Sequence, residues 1–203
     1  MLGIDLKKVV RDRLARDYRR SGRSFRNINI CFAGKTAGIV LQQRRVTLPE
    51  IVDDEDYSQK HCDLMAAFGL HELAHLWFTD TEPWDWAVET SGRFVGSLIN
   101  GLEDARIEQK AVKAGYVNQA IFEGLVNHHL YMGYVEPSDR RDIPFLLAIE
   151  ARRLNGFYIS AKPVLDDCPW AAGIWQALRQ VRLAKSTAEI VTIALKLHRC
   201  LRD

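Results

Sequence analysis

The sequence predicts an α+β fold that is mainly helical, and three observations carry that prediction. Apolar residues recur at helical spacing over most of the 203 residues. Period-two alternation is confined to residues 27–48, with Phe157-Tyr158-Ile159 as the only other strand-like run. The hydrophobic fraction is 47%, enough for a sizeable core in one domain and too high for a disordered chain.

Each element follows from local pattern. Residues 4–20 form a helix with Ile4, Leu6, Val9, Val10, Leu14 and Tyr18 on or near one side, stopped by Ser21-Gly22. Residues 27–33 alternate as a strand, and Gly34-Lys35-Thr36 turns the chain. That triplet lacks the upstream Gly of a phosphate-binding loop, so it is a turn and nothing more. Residues 37–42 and 44–48 supply one or two further strands, ending at Pro49. The sheet is expected to be small and antiparallel, with an edge strand able to pair with an extended substrate. The acidic stretch Glu50 to Asp56 leads into a helix over about 57–79, whose first turn its charges favour. Thr79-Asp80-Thr81-Glu82-Pro83 stops it. A helix over 84–98 is expected to break near Asn100-Gly101 and resume over 102–113, closed by Gly115. Helices follow at about 117–131, 140–154, 170–184 and 187–201, the last opened by the capping box Ser186-Thr187-Ala188-Glu189.

Charge and cysteine usage narrow the function classes. The formal net charge is only +2, but residues 1–26 hold nine Lys/Arg against three acids, and the remainder is net negative. The basic residues between Lys7 and Arg26 read first as the solvated face of a packed helix. Contact with nucleic acid or an acidic partner is the sharper alternative, and no interleaved aromatic supports base stacking there. Cys31, Cys62, Cys168 and Cys200 are far apart and form no CxxC pair, the pattern of reduced thiols in a cytoplasmic protein. No apolar run is long enough to span a bilayer, and the basic N-terminus has no apolar stretch of a secretory signal.

The chemistry is concentrated in His71-Glu72-Leu73-Ala74-His75. Two imidazoles four residues apart on a helix stand on one face, one turn apart, where both can hold one Zn²⁺. A Glu beside the first His can take a proton from metal-bound water. From Phe68 to Phe78 there is no Pro and the only formal charge is Glu72, while Leu70, Leu73, Ala74, Leu76 and Trp77 can bury the helix.

A catalytic zinc needs a third protein ligand and a position left for water. The HExxHxxGxxH extension is absent, since Phe78 stands at its Gly and Thr81 at its third His. The ligand is then expected on a later helix, with two candidates. Glu89 is favoured if residues 80–83 form a tight turn between antiparallel helices. Glu103 sits in Asn100-Gly101-Leu102-Glu103-Asp104-Ala105-Arg106-Ile107-Glu108, where a partly buried carboxylate needs a cation or an Arg partner.

His-Glu-Leu-Ala-His-Leu-Trp-Phe-Thr-Asp, paired with the downstream Asn-Gly-Leu-Glu-Asp-Ala-Arg-Ile-Glu, resembles the zinc-peptidase-like region of the aerobic cobaltochelatase large subunit and related phage and bacterial proteins. The resemblance covers about residues 27–115 and includes Val46-Thr47-Leu48-Pro49. It implies a zincin-like, gluzincin-type core at 27–115, within a single domain 1–203 that also has the basic N-terminal helix 1–26 and a helical part 116–203. It implies His71, His75 and Glu103 as zinc ligands, Glu72 as general base and Asp104 as an outer carboxylate on a ligand His. Two departures stand out: no Asp-x-Ser-x-Ser motif marks a von Willebrand-type domain, and Ile107 occupies the place of the acid that follows a gluzincin ligand by four residues.

The activity implied is hydrolysis of a peptide or protein in the cytoplasm. His128, His129, Tyr131 and Tyr134 are candidates to donate to the oxyanion, whereas His61 and His198 read as structural or surface. Trp84, Trp86, Trp170 and Trp175 read as core, and the helices after residue 117 are expected to wall the cleft. The alternative is a non-catalytic zinc-binding adaptor or structural module of a larger assembly. A third reading rests on Val88-Glu89-Thr90-Ser91-Gly92-Arg93-Phe94, which resembles the Glu-bearing helix of repressor-cleaving proteases and would make Glu89 the ligand.

Overall fold

The computed structural model describes residues 1–133, 140–160 and 170–202. Its helices are α1 (Gly3–Arg19), α2 (Gln59–Phe78), α3 (Thr81–Ser91), α4 (Arg93–Lys113), α5 (Gln119–Gly133), α6 (Ile143–Leu154), α7 (Ala171–Val181) and α8 (Thr187–Cys200). Its strands are β1 (Asn29–Gly34), β2 (Gly38–Val40) and β3 (Arg45–Pro49). The chain is mainly helical with one small sheet, as its periodicities predict. Residues 157–160 are not a strand; three apolar residues with no strand beside them among the described residues have no ladder to join. No described helix is long and apolar enough to cross a membrane.

The sheet is mixed rather than antiparallel. Its order is β1-β3-β2, with β1 parallel and β2 antiparallel to β3. β3 carries the cleaner alternation, with Val46 and Leu48 buried, and it takes the central place. Ile30 and Phe32 of β1 pair with Val46 and Leu48, so one face of the sheet is apolar. β2 is three half-buried residues and serves as an edge. A 3₁₀ turn over Leu41–Gln43 and Arg44 at φ 48° reverse the chain into β3.

By its contacts the chain divides into two compact units, one of Met1–Trp77 with Ala111–Leu125, the other of Phe78–Lys110 with Val126–Asp203. In the first, Leu6, Val10, Leu14 and Tyr18 recur every four residues along α1 and are fully buried. Ile4 and Val9, expected near that side, are exposed. The Arg11 guanidinium lies over the Phe32 ring, and Arg44 donates to the Tyr18 hydroxyl, which ties α1 to the sheet. The acidic loop serves α1 rather than the next helix. Carbonyls of Asp53 and Glu55 accept from the N–H groups of Ile4 and Gly3, and Lys7 pairs with Asp53 at 2.7 Å.

In the second unit, the apolar faces of α3, α4, α6, α7 and α8 close on one core that includes Leu98, Ile99, Leu102, Leu147, Leu178 and Leu197. The helix expected to start at Trp84 starts at Thr81, because the Asp80 side chain caps it from the Glu82 N–H and Pro83 falls in the first turn, where it is tolerated. The break expected at Asn100-Gly101 lies instead at Gly92, whose φ is 86°. Gly101 remains helical because α4 passes α6 there; a Cβ on it would stand 2.3 Å from the Pro144 carbonyl oxygen. At α8 the Ser186 hydroxyl accepts from the Glu189 N–H, and the Glu189 carboxylate accepts from the Lys185 N–H.

Candidate metal centre

α2 is the element that carries the chemistry, and its ends are well fixed. The Ser58 hydroxyl accepts from the His61 N–H at the start. At the end, Arg23 donates to the carbonyls of Leu76 and Trp77 at 3.1 and 3.5 Å, placing a cation at the negative pole of the helix. Met65, Ala66, Leu70, Leu73, Ala74 and Trp77 bury one side of α2. Trp77 stacks on Tyr18 of α1 with centroids 5.4 Å apart, and Leu14 closes on Gly69, two residues before the motif.

His71 and His75 stand one turn apart, their ring centroids separated by 5.2 Å with planes at 87°. His71 is half-buried, while Glu72 and His75 are each 6% exposed. Both histidines belong to the first compact unit. Two imidazoles on one helix face are donors that suit a divalent ion such as zinc. The pair could hold a metal ion.

Glu103, the ligand the resemblance implies, belongs to the second unit. It is fully buried, and its carboxylate is saturated by other partners. Arg106 donates through Nε to Oε2 at 2.7 Å and through Nη2 to Oε1 at 2.6 Å. Thr79 and Thr187 donate to Oε1 at 3.0 and 2.8 Å. A carboxylate already matched by a bidentate guanidinium and two hydroxyls has little left to offer a metal. Asp104, expected as an outer carboxylate, is buried in the same unit. Glu89 is exposed on α3.

Asp104 is set by its own neighbours on α4 and α6. Asn100, one turn earlier, donates to its Oδ2 at 3.4 Å, and Arg152 Nη2 lies 3.6 Å from the same oxygen. Arg152 is anchored on Glu108 by Nε to Oε2 at 2.6 Å and Nη2 to Oε1 at 2.8 Å. Burial works against its charge, but Glu108 and then Asp104 outweigh it, holding the guanidinium above the usual arginine range. Residue patterns gave one sign of this sorting: Glu103 and Arg106 are an i,i+3 pair, spaced to meet on one helix face. Nothing local announced Arg152, which comes from another helix 48 residues after Asp104.

The remaining candidates are placed as follows. His128 is half-buried and His129 exposed on α5, their centroids 6.2 Å apart. The Tyr131 side chain and Tyr134, like Cys168, fall outside the described residues. His61 packs on Tyr57 and His198 on Phe94, as structural histidines do. Trp84, Trp170 and Trp175 pack against the core of the second unit, but Trp86 is 55% exposed and is not core. No protein-family model, curated protein or solved structure matches the chain.

Proposed function

We propose that this protein is a metal-dependent hydrolase of peptide bonds, with His71 and His75 as ligands and Glu72 as general base. The pair of imidazoles one turn apart on α2, centroids 5.2 Å apart, with Glu72 between them in the chain, is the observation that carries the reading. Zinc is the ion that the two imidazoles suit best. When bound, the ion would lower the pKa of a coordinated water and polarise the scissile carbonyl.

The protein residues supply the rest. The half-buried His71 keeps the pair in reach of solvent. Glu72 follows a ligand histidine directly and is buried. It is suited to accept a proton from the attacking water and pass it to the leaving amine. A purely structural site has no use for a base there, which favours hydrolysis over the adaptor reading.

The test is metal analysis of the purified protein together with cleavage of an unstructured protein such as casein. We expect about one zinc per chain, its loss in His71→Ala, and retention of zinc without cleavage in Glu72→Gln. Absence of zinc from the wild type sinks the site. Undiminished cleavage by Glu72→Gln removes Glu72 from the chemistry. A zinc-loaded wild type that cleaves nothing returns the chain to the adaptor reading.

A further inference from the structure

α3 and α8 run side by side in the same direction within the second unit. At their starts the Asp80 N–H donates to the Thr187 hydroxyl at 2.9 Å. At their far ends the Phe94 ring, just past α3, packs on His198 with centroids 5.8 Å apart. Between the two helices lies an open groove of about 300 Å³, lined by Pro83 and Trp86 of α3 and by one face of α8 from Ala188 to Arg199. At about 1.5 Å per residue that face is roughly 16 Å long. Val191 and Leu195 make it apolar, and Trp86 borders it with 55% of its surface exposed. Lys196 and Arg199 stand towards its end, both exposed. None of these residues belongs to the metal centre.

We propose that this groove docks an acidic, apolar-faced segment of a partner protein, with its apolar side chains against Trp86 and Leu195 and a carboxylate on Lys196 and Arg199. Charge complementarity selects the acid. Lys196 and Arg199 are the only formal charges in the lining, and neither has an ion-pair partner among the described residues. Glu82, Asp85 and Glu89 of α3 are exposed but do not line the groove. The Trp86 indole N–H also donates to no described residue, so the apolar wall carries an unused donor that a peptide carbonyl can take. An exposed Trp beside cations has the composition of a protein-binding hot spot. The pole of α8 favours a cation in its last turn, where Arg199 stands, but it does not account for a bare indole on another helix. An open groove between two helices suits a chain segment laid along it, whereas small ligands are held in pockets that enclose most of their surface.

The test is to pan a random peptide library displayed on phage against the full chain, then to synthesise the selected peptides and measure their affinity by fluorescence polarisation. Selected peptides are expected to combine aliphatic or aromatic residues with Asp or Glu. Trp86→Ala is expected to weaken their binding roughly 30-fold or more. Lys196→Glu combined with Arg199→Glu is expected to weaken it about tenfold or more and to remove its dependence on salt. All three side chains are exposed, and thermal melting checks that both variants are folded. If Trp86→Ala is not, the charge-reversed protein decides alone. No enriched peptide, enriched peptides without acids, or full affinity in the folded variants overturns the proposal. Self-association of the wild type in sedimentation, abolished by Trp86→Ala, overturns it too and gives the groove to a second copy of the chain.

Discussion

Arg106 holds Glu103 by two hydrogen bonds of 2.7 and 2.6 Å. The same guanidinium donates to the carbonyls of Phe78 and Lys185 at 2.8 and 3.3 Å, so it joins the end of α2 to the approach of α8. Glu103 therefore serves the fold. A buried ion pair is tolerated only when its remaining hydrogen-bonding capacity is met, and Thr79 and Thr187 meet it here.

Glu103→Ala strands a buried arginine and is expected to cost about 3–5 kcal/mol in urea denaturation. Its isosteric variant Glu103→Gln should still take up zinc. Zinc lost in a folded Glu103→Gln protein would return Glu103 to the ligand set.

Gly101→Ala should destabilise, against the usual sign for a helix interior. Alanine ordinarily gains roughly 0.5–1 kcal/mol over glycine there. At this position the added Cβ would meet the Pro144 carbonyl oxygen at 2.3 Å, and α4 and α6 would have to move apart. A loss of about 2 kcal/mol is expected from overpacking. A melting temperature at or above wild type would show that the two helices are not so closely apposed.

Cys62 gives α2 an alkaline dependence. Burial, and secondly the neighbouring Asp63, push its thiol above the ordinary value of 9.0, with Arg13 opposing. Above pH 9 the folded state therefore holds a proton that the unfolded chain has released, and stability falls as pH rises from there towards the folded pKa. Cys62→Ala should flatten that decline relative to wild type. Parallel stability curves for the two proteins above pH 9 would contradict the assignment.

Most of the secondary structure was legible because it is local. Leu6, Val10, Leu14 and Tyr18 mark α1 by spacing, Val46 and Leu48 mark β3 by alternation, and Ser186 with Glu189 marks the start of α8. The misreadings were glycine and proline signals with more than one structural solution. Gly101 can break a helix or let another helix pass closely, and Pro83 can stop a helix or sit in its first turn; only the neighbouring chain chooses. Strand direction was hidden for the same reason, since alternation fixes which face is buried and not which strand lies beside it.

The chain by itself determined the pair His71 and His75, with Glu72 beside them, because four residues of helix are enough to align two imidazoles. It left the third ligand open between Glu89 and Glu103. The partners of the acids on α4 were decided only by the folded protein. Adjacent residues on a helix point about 100° apart, so Arg106 takes Glu103 while Arg152 arrives from α6 beside Asp104. Separation in space, not in sequence, sets those pairings.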